Sequence, residues 1–499
     1  MTATVFTATA IGFDGQLIEV ECDVSNGLPS LQIVGLGNKA VDEAKERVRS
    51  ALKNSGFDMP AKRITINLAP ADIPKNGTQF DLPIAIAVMI CAGILLDSDA
   101  ANTLFAGELA LDGGLRPVKG SVHLAETAAK NQLNTLIVPA QNASQAALID
   151  SVDTIGCKDL KEVFLFLKKQ ARITPAQNTR TLVKSSSSIL IDDVKGQAHA
   201  KRALLIAAAG HHNMLMSGPP GAGKTMLAKA LLSILPPLSP DEIIEVTKLH
   251  SMNGLLDEAM QERPFRSPHH SSSHVSLIGG GAVPKPGEIS LAHRGVLFLD
   301  EIPEYSRASL EALRQPLEDR EVHIARARDR LRFPADFMLV ATQNPCPCGY
   351  YGDSKRSCSC SLQSIERYQQ KISGPLLDRI DIVIQLSRVD AKELVSDTTG
   401  VTTAETDDYK NAIIKARSTQ AERYAGQNLN ASANSKQVRE LLDVSAQAHS
   451  LLAAASDKLA LSARAYFKVL KVARTIADLA DSKTVEVPHV SEALQYRSR

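Results

Sequence analysis

Met214-Leu-Met-Ser-Gly218-Pro219-Pro220-Gly221-Ala222-Gly223-Lys224-Thr225-Met226-Leu-Ala-Lys-Ala-Leu-Leu232 reads as an apolar strand, a glycine-rich loop and a helix in succession. Its centre, Gly218 to Thr225, satisfies the pattern G-x-x-x-x-G-K-[ST] in the strand–loop–helix setting that its chemistry needs. Glycines let consecutive backbone N–H groups wrap phosphate oxygens, and the start of the helix adds partial positive charge. Lys224 is expected to reach the β and γ phosphates and Thr225 to ligate Mg²⁺. A plain glycine-rich turn would need neither the Lys-Thr pair nor the flanking elements. Residues 218–225 are therefore read as a nucleotide-phosphate site.

Working outward, Gly295-Val-Leu-Phe-Leu-Asp300-Glu301 is an apolar run ending in adjacent carboxylates, about 75 residues beyond Thr225. A buried strand would deliver Asp300 and Glu301 to its C-terminal end, the edge where open α/β sheets bind ligands. Asp300 is expected to hold Mg²⁺ and Glu301 to polarise an attacking water. Phe337-Met-Leu-Val-Ala-Thr342 is another strand leading into Gln343-Asn344, whose amide could orient that water. Arg379, in Leu376-Leu-Asp-Arg-Ile-Asp381, sits between two acids and on local grounds reads as an ion pair. From Ile189 to about Leu386 short strands alternate with helices, the pattern of an α/β unit with a parallel sheet.

On either side the character changes. Residues 1–168 mix strands (Ile64–Leu68, Leu136–Pro139) with helical stretches (Ala40–Asn54), and Leu82–Leu96 reads as a buried core helix. Residues 169–188 read as a polar linker, residues 189–388 as the α/β unit, and residues 389–499 as a helical domain. Asp390 to Asn434 looks polar, whereas Ser445–Leu461 and Ala463–Ala480 carry apolar residues at helical spacing.

Composition narrows the function classes. The 499 residues carry 56 Lys and Arg against 55 Asp and Glu, so no global charge excess announces nucleic acid or a solvating tail. Aromatics are 4% with no Trp, which argues against base stacking as the main contact with nucleic acid. The longest apolar run is short for a membrane span, and Met1-Thr-Ala-Thr-Val-Phe lacks the features of a secretory signal. A cytoplasmic protein without membrane contact is expected.

Seven cysteines do not make an even disulfide framework, and four of them crowd together as Cys346-x-Cys348 and Cys358-x-Cys360. Four thiolates suit a tetrahedral Zn²⁺ site that fastens the loop 346–360. Metal-free thiols and a redox disulfide are the alternatives. Arg326, Arg328, Arg330 and Arg332 recur at alternate positions in Val322–Phe333, fitting a hairpin that presents several guanidiniums on one face to phosphates. The plainer alternative pairs them with Glu318, Asp319, Glu321 and Asp329. His269, His270, His274 and Gly279–Gly281 suggest a second exposed loop rather than a metal site.

Together these motifs resemble the magnesium-chelatase-like branch of the AAA+ ATPases, and from Met1 to about Arg497 the chain is similar to the ComM/YifB family of bacteria. The likeness is carried by Asp72-Ile-Pro-Lys-Asn-Gly through Phe80-Asp-Leu-Pro-Ile-Ala85, by Phe265-Arg-Ser-Pro-His-His270 and by Gly279-Gly-Gly281. Pro286-Gly-Glu-Ile-Ser-Leu-Ala-His293, Asn344-Pro-Cys-Pro-Cys-Gly349 and Lys371-Ile-Ser-Gly-Pro-Leu-Leu-Asp-Arg-Ile-Asp381 add to it. The resemblance implies ATP and Mg²⁺ as ligands, Asp193-Val-Lys-Gly-Gln197 near the adenine pocket, and Asn344 as the sensor-1 residue. It also implies Arg379 as an arginine finger acting on a neighbouring subunit, and Arg464 as the sensor-2 residue of a helical lid, with Arg474 as the nearby alternative. A homo-oligomeric ring, a hexamer, is implied, with branched, single-stranded or duplex DNA as substrate and branch migration in homologous recombination as the activity. The runner-up is a protein-remodelling or metal-insertion motor like the magnesium-chelatase ATPase subunit.

Residues 1–168 resemble the Lon-protease-like domain of this family through Leu104-Phe-Ala-Gly-Glu-Leu-Ala-Leu-Asp-Gly-Gly-Leu-Arg-Pro-Val118 and Leu136-Ile-Val-Pro139. Active Lon domains pair a Ser nucleophile with a Lys, and here the matching stretches read Thr78-Gln-Phe-Asp81 and Gly120-Ser-Val122. A non-proteolytic domain is expected, with Lys75 and Lys119 as surface charges.

Overall fold

The computed structural model describes residues 2–35, 39–75, 77–177, 189–254, 259–281, 284–325, 330–353, 355–388, 403–426 and 428–497. Its first part is a seven-stranded mixed sheet. The strands are β1 (Thr2–Ile11), β2 (Asp14–Ser25), β3 (Ser30–Val34), β4 (Arg63–Ala69), β5 (Thr103–Phe105), β6 (Thr135–Pro139) and β7 (Asp153–Cys157), in the spatial order β3-β4-β2-β1-β5-β6-β7. In β2 Ile18, Val20 and Cys22 are buried while Glu19, Glu21 and Asp23 face solvent, the two-residue period of a strand with one wet side. Helix α1 (Lys39–Asn54) and helix α2 (Asp81–Cys91) cover the other face.

Every residue of α2 is buried, as the apolar run from Leu82 implies, and Pro83 is tolerated because it lies in the first turn. The helix stops at Cys91, earlier than the run's end at Leu96. Asp81 is wholly buried and takes a two-pronged grip from Arg47 of α1, Nε to Oδ2 at 2.6 Å and Nη2 to Oδ1 at 3.0 Å. Burial pushes the Asp81 carboxyl up, and the guanidinium only partly offsets this. Lys75 corrects the sequence reading. It is fully buried with its ammonium donating to the Pro70 carbonyl, and burial lowers its pKa. Lys119 is exposed, as expected.

The central sheet is parallel throughout. Strands β8 (Met214–Ser217), β9 (Phe265–Arg266), β10 (Val296–Leu299), β13 (Met338–Gln343) and β14 (Ile382–Gln385) lie in the order β9-β10-β13-β8-β14. The numbers between belong to a separate hairpin, β11 (Glu321–Ala325) and β12 (Arg330–Pro334). Central strands buried on both sides are uniformly apolar, as Val296–Leu299 illustrates. Helix α3 (Ser121–Lys130) of the first part packs on α6 (Pro240–Met252), while α4 (Ala198–Gly210) and α5 (Lys224–Ile234) flank the central sheet.

The first part docks on the second through an apolar cluster of Val122, Leu148, Leu238, Ile243 and Val246. Beside it Lys248 meets Glu126 at 2.5 Å and lies 3.9 Å over the Phe13 ring. Phe13 also donates its backbone N–H to the Arg332 carbonyl of the hairpin.

The last part is helical: α7 (Ala404–Arg423), α8 (Ala446–Leu459), α9 (Ala463–Leu479) and α10 (Val487–Gln495). One continuous core runs from Ile191 through the α4 and α5 side chains to Tyr496, so this part and the sheet share their interior. Helix α7 corrects the reading of residues 390–434 as merely polar. It buries Thr406, Ile413, Ala416 and Gln420, with Tyr409 and Ala412 half-buried beside them. A stripe that narrow, half of it polar, carries almost no periodic hydrophobic signal.

Candidate nucleotide site and its distant arginines

β8 ends at Ser217, and the chain turns through Gly218–Gly223 into α5. Gly221 and Gly223 have φ of +80° and +84°, a region that a Cβ penalises, so the loop shape depends on glycine there. Lys224 does not point to solvent. Its Nζ donates to the Pro219 carbonyl at 3.1 Å, to the Gly218 carbonyl at 2.5 Å and to Asn344 Oδ1 at 2.9 Å. Burial lowers its pKa against the opposing pull of Asp300 and Glu301.

β10 brings Asp300 to the same edge. Its Oδ2 accepts from Thr225 Oγ1 at 3.3 Å and its Oδ1 from Thr342 Oγ1 at 2.5 Å. Glu301 takes a left-handed backbone, φ +50°, and its N–H donates to Thr342 Oγ1 at 2.9 Å. The exposed Glu301 carboxylate accepts from Asn344 Nδ2 at 3.2 Å. Lys224, Thr225, Asp300, Glu301 and Asn344 thus form one network across three adjacent strands. Chemically it offers an ammonium and a glycine loop for phosphate, a hydroxyl and a carboxylate of the hard-oxygen type Mg²⁺ takes, and a wet carboxylate held by an amide. Sequence reasoning missed Thr342, the hydroxyl that ties the two acids together. A lone polar residue closing an otherwise apolar strand was the available signal. Gln197 of the approach segment donates to the Ser387 carbonyl at 2.6 Å, which fastens that segment beside the loop.

Arg379 lies at the other edge. It precedes β14, which runs parallel to β8, while Gly218–Thr225 follows β8. A four-residue strand spans about 13 Å, so Arg379 and the glycine loop of one chain are kept apart. Arg379 donates to the Arg314 carbonyl at 2.9 Å and the Pro375 carbonyl at 2.7 Å, and pairs with Glu318. The local pairing with its sequence neighbours does not form, because Asp381 meets His212 at 3.2 Å instead. Arg464, exposed in the first turn of α9, comes within 3.8 Å of the same Glu318. Both arginines line a cavity of about 430 Å³ with Arg320, Asp336, Lys468 and Lys471. Arg474 does not reach it. It is buried in α9, bonded to Asp478 and to the Ser482 and Lys483 carbonyls.

The four cysteines gather as expected, with all four sulfurs within 4.8 Å of one another. Cys346 lies 3.3 Å from Cys348 and 3.6 Å from Cys358, and Cys348 lies 3.6 Å from Cys358, distances that exclude a disulfide. Backbone N–H groups of Tyr351 and Cys360 donate to Cys346 and Cys358. N–H donors at Tyr350 and Ser359 pull the Cys348 thiol down to about 6.

The arginine hairpin forms, but Arg326 and Arg328 lie outside the described residues, as does the side chain of Arg330 at the start of β12. Arg332 pairs with Glu321 at 3.1 Å, the plainer of the two expectations. His269 packs on His270 with ring centroids 4.1 Å apart, and among the described residues these histidines join no metal-ligand cluster. Among those residues no helix is long and apolar enough to cross a membrane.

A parallel sheet with a glycine-rich phosphate loop on one strand, adjacent acids on another and helices packed behind it defines a P-loop protein of the AAA+ type. Family models agree. Residues 190–394 match "Magnesium chelatase, subunit ChlI", residues 20–142 match "Subunit ChlI of Mg-chelatase" and residues 403–497 match "Magnesium chelatase, subunit ChlI C-terminal". Competence protein ComM of Haemophilus influenzae is 44% identical over 99% of this chain and 97% of its own length. Protein YifB of Escherichia coli is 41% identical over 99% of this chain and 96% of its own. Lon protease 2 of Bacillus subtilis is 28% identical over 38% of each chain. The chain belongs to the ComM/YifB family of magnesium-chelatase-like AAA+ ATPases.

Proposed function

We propose that the protein is an ATP-hydrolysing motor that assembles into a hexameric ring and drives branch migration of DNA recombination intermediates. One observation carries this reading. The loop and acids that would hold MgATP sit at one sheet edge, and Arg379 and Arg464 sit at the other. A complete site then needs two copies, and closing such a head-to-tail contact produces a ring.

In this reading Lys224 and the loop amides hold the phosphates, Glu301 orients the lytic water and Asn344 keeps Glu301 aimed. Thr225 and Asp300 would hold Mg²⁺, which supplies charge neutralisation when bound. Arg379 and Arg464 of the adjoining copy stabilise charge on the transferred phosphoryl group. Residues 1–168 act as a Lon-like, non-proteolytic scaffold, since no Ser–Lys dyad fits the matching positions. Residues 189–388 form the motor core, residues 389–499 its lid, and Cys346, Cys348, Cys358 and Cys360 hold structural Zn²⁺. Arg326, Arg328 and Arg330 contact DNA phosphates in a cytoplasmic setting. The DNA substrate rests on the family resemblance and on the relative named a competence protein.

The test is release of branched products from a synthetic three- or four-way junction with ATP and Mg²⁺. Glu301→Gln should bind ATP and the junction and release nothing. Brisk ATP turnover without junction processing, stimulated by a protein partner and indifferent to DNA, would shift the assignment to a magnesium-chelatase-type motor.

A further inference from the structure

Residues 346–361 wrap around the four thiols with little apolar material of their own: Cys346 and Gly349 are the buried positions among the described ones, and Tyr351 is exposed. A loop without a core needs another fastening. Thiolates about 2.3 Å from a tetrahedral ion stand about 3.8 Å apart, close to the sulfur separations of 3.3–3.6 Å found here. The backbone donors on Cys346 and Cys358 are the kind of outer contact that steadies metal-bound sulfur.

This knuckle touches the nucleotide site at two independent places. Gly349 turns with φ +84° directly behind the phosphate loop, so closely that a Cβ there would lie 2.7 Å from Pro220 Cδ. Asn344, which holds both Lys224 and Glu301, stands two residues before Cys346. The far sides of the loop are tied down as well. Gln369 donates to the Pro345 carbonyl at 3.2 Å, and Asp353 pairs at 3.1 Å with Arg388, just beyond β14.

We propose that a Zn²⁺ ion on Cys346, Cys348, Cys358 and Cys360 controls the nucleotide pocket by pressing Gly349 against Pro220 and holding Asn344 between Lys224 and Glu301. This rests on the zinc and ATP readings above and adds that the two sites are coupled. Loss of the ion slackens residues 346–360, takes away the wall behind Pro220 and lets the Asn344 amide drift from both partners. The pocket weakens although no residue that touches nucleotide has changed.

The full-length chain is purified under reducing conditions, its metal content is measured, and the metal is released with an organomercurial and chelator. Binding of a fluorescent ATP analogue is read before release, after release and after adding Zn²⁺ back, with circular dichroism as a check on folding. The expected result is one zinc per chain and, on its removal, affinity weaker by about tenfold, the worth of about one lost hydrogen bond, with helix content kept. Added Zn²⁺ restores binding. Gly349→Ala should retain the metal and still weaken nucleotide binding, which separates the contact with Pro220 from metal capture.

A zinc-free chain that binds the analogue as tightly as the loaded one overturns the coupling and leaves the nucleotide reading intact. A chain that takes up no Zn²⁺ overturns the metal site. A loaded chain that binds no nucleotide overturns the ATPase proposal itself.

Discussion

At the carboxyl ends of β8, β10 and β13, Lys224, Asp300 and Asn344 arrive on neighbouring strands, and the network they anchor is bonded throughout. At the amino ends of the same sheet Arg379, Arg464 and Glu318 arrive from three separate elements and meet around a polar cavity. The first edge has its full set of partners within one chain. The second holds two guanidiniums on one exposed carboxylate, out of reach of its own phosphate loop. The two sets of charged groups therefore lie at opposite ends of the same parallel strands.

The largest expected effect tests that division. Lys224→Ala and Arg379→Ala should each lower ATP turnover by about a thousandfold. Mixed together, they should regain turnover, because some junctions then join an intact loop to an intact arginine. Mixtures as inactive as the separate variants would return both edges to a single-chain role.

A smaller effect is expected from the charges that build the second edge. Asp336 meets Arg294 at 2.9 Å, Arg320 at 3.4 Å and His211 at 3.5 Å. Burial pushes its carboxyl up, but contact with His211 and the Arg320 and Arg294 guanidiniums outweighs burial and holds it well below the carboxylate range. A carboxylate held down in the folded state contributes stability that is complete above its unfolded pKa of about 3.9 and fades as pH falls below it. Asp336→Asn should therefore cost about 1.5–3 kcal/mol at neutral pH, as loss of hydrogen bonds to a charged group does. Denaturant unfolding below about pH 4 should show a shallower acid decline for the variant than for the parent.

The smallest effect belongs to Glu318. Its own carboxylate is more than half exposed, so Glu318→Gln should change turnover by less than about fivefold. A collapse of activity would mean that Glu318 itself aims the arginines.

How far the sequence could be read follows the same division. Lys224, Asp300, Glu301 and Asn344 each close a strand or open a helix, so local pattern and position coincide, and they lie together as expected. Arg379 shows the opposite case. Its neighbours Asp378 and Asp381 suggest a local pair, yet its partner Glu318 lies 61 residues away. Lys75 looked like a surface charge because nothing in Ile73-Pro-Lys-Asn reveals that the surrounding sheet and helices cover it. The helix Ala404–Arg423 was hidden because its inward stripe uses Thr and Gln beside Ile and Ala.

The glycine-rich loop, the apolar strands and the cysteine pairs were legible in the linear chain, since these depend on backbone freedom, apolar runs and ligand spacing over a few residues. Long-range packing alone places Gly349 against Pro220, buries Arg474 while leaving Arg464 exposed, and sets the arginines across the sheet from the loop. Those facts depend on which distant segments share a surface, and a linear pattern carries no information on that until the chain has packed.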